Sequence, residues 1–73
     1  MLTNKELKKL LKSREPVMYY ERGVGEWLEY AYVNAVITRY DHGTGEFYIT
    51  VELMDRTLHG VVVDKPEYMK RKG

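Results

Sequence analysis

Between Glu46 and Leu53 the chain alternates strictly. Phe47, Ile49, Val51 and Leu53 are apolar, and Glu46, Tyr48, Thr50 and Glu52 are polar or amphipathic. A period of two marks a half-buried β-strand, with one face on a core and the other toward water. The preceding stretch, from Tyr32 to Tyr40, is rich in β-branched and aromatic residues, among them Val33, Val36, Ile37 and Thr38. Such side chains suit a pleated surface. Its phase reads with Val33, Ala35 and Ile37 inward and Tyr32, Asn34 and Val36 outward. Asp41 to Gly45 lies between the two strands. The Asp41 carboxylate can accept from amides two residues on, and Gly45 can turn left-handed without a Cβ clash. The whole segment predicts a hairpin closed by a loop of roughly three to five residues with a glycine bulge.

The pattern changes at the N-terminus. Leu7, Leu10 and Leu11 fall on one helical face, with Lys5, Lys8, Lys9 and Lys12 on the remaining surface. Thr3 and Glu6 have capping-box spacing, and Leu2 and Leu7 have the spacing of a hydrophobic staple. Pro16 disfavours helical geometry at Glu15, so the helix is expected to end between Lys12 and Arg14. A helix of about ten residues does not persist alone in water, so its leucine face must cover something, most simply an open end of a barrel.

After the proline, Val17 to Tyr20 reads as a short strand and Glu21 to Glu26 as a mobile loop. Trp27 to Asp41 reads as one long strand, bent or bulged near its start. Glu46 to Met54 is the next strand, and Asp55-Arg56-Thr57 a turn. Leu58 to Val63 is the last strand, and Lys65 to Met69 a helical turn with Pro66 near its start. Lys70-Arg71-Lys72 reads as a frayed tail. No internal repeat stands out. The chain divides into a helix over 1–14, a β-barrel over 16–64 and a basic turn and tail over 65–73, all in one domain.

Size and charge narrow the picture. The 73 residues include no cysteine, so no disulfide staples the fold and no thiolate serves as nucleophile or metal ligand. No apolar run approaches the roughly 20 residues of a membrane span, and the N-terminus lacks the apolar core of a signal peptide. The expectation is a soluble, cytoplasmic protein without a membrane partner. Net charge is +1 but uneven: +3 over residues 1–16, −5 over 17–64 and +3 over 65–73. An acidic body between basic ends suggests either a nucleic-acid contact through those ends or their packing against the body.

Catalytic chemistry finds little support. His42 and His59 are the only histidines, and zinc needs three or four converging ligands. Gly23-Val24-Gly25 lacks the Lys-Ser/Thr of a phosphate loop. Ser13 is the only serine, with no histidine near it in sequence. Paired carboxylates such as Glu26 and Glu29 have no marked cleft in which a shifted pKa would arise. The reading is a non-enzyme, with no metal and no cofactor. Seven tyrosines and one tryptophan against one phenylalanine point to surfaces half apolar and half wet, as at binding hot spots. Tyr20, Tyr30, Tyr32 and Tyr48 are expected to share an outer face, with Trp27 at the loop edge.

Four or five short strands with one helix predict a mainly β fold, a small antiparallel barrel with an N-terminal amphipathic helix. The chain resembles the SH3-like barrels, and among them the Tudor-type pattern. The residues that carry this are Val17-Met18-Tyr19-Tyr20, then Tyr32, Ala35 and Ile37, then Asp41, Thr44, Gly45, Phe47, Ile49 and Val51, and finally Asp55, Val61 and Val63. A second resemblance is to Sm-like barrels, where a helix precedes a five-strand barrel that assembles into rings. The leading functional reading is a protein-binding module, an adaptor or inhibitor, using Tyr20, Trp27, Tyr30, Tyr32 and Tyr48. One alternative is nucleic-acid binding through Lys5, Lys8, Lys9, Lys12, Lys70, Arg71 and Lys72, with tyrosines stacking on bases. The acidic body opposes it by phosphate repulsion. The other alternative is a structural homo-oligomer.

Overall fold

The computed structural model describes residues 2–73. Helix α1 runs over Asn4–Ser13. Its start is closed reciprocally: the Glu6 amide donates to Thr3 Oγ1 at 3.2 Å and the Thr3 amide to Glu6 Oε1 at 3.1 Å. These bonds hold the Glu6 carboxyl below its ordinary pKa. The helix ends where Arg14 turns left-handed, φ 54°, ahead of Pro16. Leu2, Leu7 and Leu10 are buried with Val17, Tyr19, Val33, Val51, Leu53 and Met69, and Leu11 packs at the margin.

Six strands follow: β1 Val17–Glu21, β2 Glu26–Tyr30, β3 Tyr32–Asp41, β4 Glu46–Met54, β5 Val61–Asp64 and β6 Met69–Arg71. A single 3-10 turn, η1 Pro66–Tyr68, precedes β6. They form two antiparallel three-stranded sheets, ordered β2-β1-β6 and β3-β4-β5. The fold is therefore mainly β with one helix. The long strand expected over Trp27–Asp41 is two strands meeting at Ala31, whose amide donates to the Met54 carbonyl at 2.8 Å. The last meander strand begins at Val61 rather than Leu58, because Asp55–Gly60 forms a wider loop. There Asp55 Oδ1 accepts from the amide and hydroxyl of Thr57 and from the His59 amide.

Two expectations are corrected by pairing. The register of β3 shifts between Val33 and Ala35, so Asn34 is a bulge. One extra residue turns the following side chains over. Val36, opposite Val51, packs on the core, while Ala35 and Ile37 fall on the outer face opposite Glu52 and Thr50. The tail is not frayed through Arg71. Met69, Lys70 and Arg71 pair with Tyr19, Met18 and Val17, and Met69 is buried.

The two hairpin loops have one design. Tyr20-Glu21-Arg22-Gly23-Val24-Gly25-Glu26-Trp27 matches Tyr40-Asp41-His42-Gly43-Thr44-Gly45-Glu46-Phe47, position by position. In each, the last glycine is left-handed, φ 77° at Gly25 and 75° at Gly45. That glycine donates to the carbonyl of the first acidic residue, Glu21 or Asp41, at 2.7 and 2.8 Å. The acidic side chain accepts from the amide two residues on, at 3.1 Å for Glu21 to Gly23 and 2.8 Å for Asp41 to Gly43. The segment from Glu21 to Glu26 is thus a tight turn, and the chain does carry a short internal repeat.

A polar clasp joins the sheets. The Tyr19 hydroxyl donates to Asp64 Oδ2 at 2.6 Å, and Arg22 reaches the same oxygen at 2.7 Å. Burial, then the neighbouring Asp64 carboxylate, pushes the Tyr19 phenol up to about 12. Below the ordinary phenol value near 10 both folded and unfolded chains keep this proton. Between there and about 12 only the folded chain does, so stability is full below that window and falls through it as pH rises. Tyr19→Phe should remove most of this alkaline loss and cost about 1.5–3 kcal/mol at neutral pH, as a hydrogen bond to a charged acceptor. Urea titrations at stepped pH check both.

Candidate functional site

The aromatic residues do not form one surface. Tyr20 and Trp27 lie on the outer face of the β2-β1-β6 sheet, with ring centroids 5.4 Å apart. Tyr30 turns inward instead, packed on the core and edge-on to Tyr19 at 5.7 Å. Burial raises its phenol pKa. Tyr32 and Tyr48 belong to the outer face of the other sheet, opposite Met54 and Arg39. The reason is the phase of β2: Tyr30 pairs with Val17, so it shares the inward side.

Most of these rings are capped by the chain's own cations. Arg14 lies 4.9 Å from the Tyr32 centroid, Arg22 3.8 Å from Tyr68, Lys65 5.8 Å from Tyr48 and Lys70 4.2 Å from Trp27. Such contacts favour a covered ring over a free one. The basic tail is engaged as well. Besides Lys70 on Trp27, Arg71 reaches Glu15 at 3.4 Å and Lys72 reaches Glu29 at 2.5 Å. The Lys72 contact lowers the Glu29 pKa. Lys5, Lys8, Lys9 and Lys12 are exposed on α1, and among the described residues none makes a salt bridge. The two basic segments therefore differ: the tail is folded onto carboxylates and an aromatic ring, and the helix stripe is open to solvent.

One aromatic cluster is uncapped, and it lies where sequence reading placed core. The inward row of the β3–β4 hairpin runs Val36 and Val51, then Thr38 and Ile49, then Tyr40 and Phe47. α1 covers only its near half. From Thr38 to Asp41 and from Glu46 to Tyr48 every residue is exposed, so the hairpin overhangs the core by roughly 13 Å. Phe47 is 73% exposed and Tyr40 45%. Their centroids are 5.0 Å apart, and His42 stands edge-on to Tyr40 at 4.8 Å. Among the described residues no Lys or Arg caps either Tyr40 or Phe47.

At the root of this arm Asn4, Leu7, Lys8, Leu11, Val36 and Ile49 line a groove of about 290 Å³. The groove continues the apolar row of the arm. Its helical wall carries Lys8, and the arm's tip carries Asp41 and Glu46. The tip is tied by side-chain bonds: Asp41 Oδ1 also accepts from the Thr44 amide, at 3.3 Å, and the Glu46 amide donates to Thr44 Oγ1 at 3.3 Å. An apolar finger tied in this way, beside a groove, can bind a macromolecule at low ordering cost. Among the described residues no group of three His, Asp or Glu side chains is placed to hold a metal ion. Among the described residues no helix is long and apolar enough to cross a membrane. Comparisons with protein-family models, curated proteins and solved structures gave no match.

Alternation alone does not reveal this arm, although one feature of the sequence marks its end. Phe47 was assigned inward by alternation, which gives the side a residue faces but not how far the core extends. The repeated Tyr-acid-x-Gly-x-Gly-Glu-aromatic unit marked both hairpin ends.

Proposed function

We propose that this chain is a non-catalytic protein-binding module on a small SH3-like barrel, acting as an adaptor or inhibitor through the inner face of its β3–β4 arm. The barrel reading is supported by β2 running into β3 through Ala31 alone and by η1 standing before the last strand. The observation that carries the functional reading is the contrast among aromatic rings. Cations of the chain lie against Tyr32, Tyr48, Tyr68 and Trp27, whereas among the described residues none lies over Tyr40 or over Phe47, which at 73% is the most exposed ring of the set. A monomer gains nothing by holding its only phenylalanine in water, and exposed apolar patches of this kind mark interaction sites. Tyr20 and Trp27 form a second aromatic surface, with Lys70 already seated on it.

The test is quantitative capture with matched baits. Phe47→Ser should keep the thermal midpoint within about 2 °C, because a solvent-exposed side chain contributes little to stability. It should also lose the proteins that the wild-type bait retains. Equal retention by both baits would remove the arm from the binding surface.

A further inference from the structure

We propose that the arm docks on a second copy of this chain, in a two-fold dimer where each tip enters the other copy's groove. The inference rests on the arm being the binding surface and names its partner. Three observations lead there. First, finger and socket lie on one face. The open apolar row, Tyr40 and Phe47, continues directly into the groove formed by Leu11, Val36 and Ile49. Two arms laid antiparallel, inner face to inner face, bring each aromatic tip against the other's groove with a single two-fold rotation. A surface that carries both halves of a contact is self-complementary, which a two-fold interface requires.

Second, the charges match under the same rotation. The tip carries Asp41 and Glu46, which share a cleft with Lys65 of the same chain but make no salt bridge among the described residues. The helical wall of the groove presents Lys8, with Lys12 one turn on, also without salt bridges. The rotation sets tip carboxylates of one copy against helix lysines of the other, twice. The opposite arrangement, parallel arms, sets tip against tip and acid against acid.

Third, the chain already contains the corresponding contact. In the first repeat unit Lys70, from the adjoining β6, sits 4.2 Å from the Trp27 ring beside Tyr20. In the second unit the equivalent pair is Tyr40 and Phe47, at the same position relative to its loop, with no cation over it. Lys8 of the second copy supplies the missing cation. The overhang is short, so the buried area sits at the low end for specific interfaces, and a micromolar dimer is expected.

Sedimentation velocity over a concentration series reads this directly. The wild type should pass from monomer to dimer, and raised salt should weaken the dimer. Phe47→Ser should weaken it at least about tenfold, as loss of an anchor. Lys8→Glu and Glu46→Lys should each weaken it about fivefold, and the two together should recover most of the loss, because each swap restores the other's contact. Lys8 is on the exposed helix surface, so this cycle stands even if Phe47→Ser were to fold poorly. A wild type that stays monomeric at millimolar concentration overturns the second-copy inference. If Phe47-dependent capture of another protein persists in that case, the arm remains a protein-binding surface. A dimer indifferent to Phe47→Ser and to the charge swaps also overturns the inference, since a different face would then be joined.

Discussion

Leu10→Ala should lower the unfolding free energy by about 2–4 kcal/mol, read as a drop in the urea midpoint at unchanged slope. Leu10 is 1% exposed and belongs to the same buried cluster as Val17, Val33 and Met69. Truncation there removes apolar contact and leaves a void the sheet cannot close. Domains of this size hold only about 5 kcal/mol in total, so the variant should keep only a small part of its stability. Lys9→Ala, one residue earlier on the exposed side of α1, serves as the control and should move the midpoint by less than about 0.5 kcal/mol. If Leu10→Ala behaves like Lys9→Ala, the helix is not seated on the sheets and is held for some other surface.

The second large effect concerns the C-terminal strand. Ending the chain after Tyr68 removes Met69, which is 1% exposed, and three ladder pairs to β1. The expected loss is about 3–5 kcal/mol, the larger part from the buried methionine. Ending it after Met69 instead keeps that side chain and should cost only about 1–2 kcal/mol, for the lost ladder bonds and surface ion pairs. Thermal unfolding of the two truncated chains separates core from ladder. A chain ending at Tyr68 with an unaltered midpoint would mean that β6 contributes nothing to the fold.

Local signals were legible and tertiary ones were not. Helix α1 could be read to its ends, because Thr3, Glu6, the leucine spacing and Pro16 all act within a turn or two of themselves. The β3–β4 hairpin was legible for the same reason. The phase of β3 was not: Val36 and Ile37 are adjacent and both apolar, so alternation fits either face, and only the bulge at Asn34 decides between them. β6 was invisible because Met69-Lys70-Arg71 has no strand character of its own; β1 makes it a strand by pairing with it. Tyr30 was misassigned by the same kind of non-local fact, the register of β2 on Val17. The aromatic excess pointed to Tyr20, Trp27, Tyr30, Tyr32 and Tyr48; of these, Trp27, Tyr32 and Tyr48 have a cation of the chain against the ring, and Tyr30 packs on the core. The uncapped pair, Tyr40 and Phe47, is defined by where α1 stops covering the hairpin, and no window of sequence contains that boundary.

The seat of Lys70 on Trp27 also makes the protein its own instrument. Trp27 is the only tryptophan, and it stands on β2, so the cation against its ring arrives from a different strand. Indole emission is sensitive to a neighbouring ammonium and to water. Departure of the terminal strand from β1 is therefore expected to register in the fluorescence of the intact chain, without a label. Because Trp27 also packs on Tyr20 across the β1–β2 hairpin, emission compared between the wild type and Lys70→Ala after a rapid change of denaturant would isolate the part of the signal that comes from the last strand.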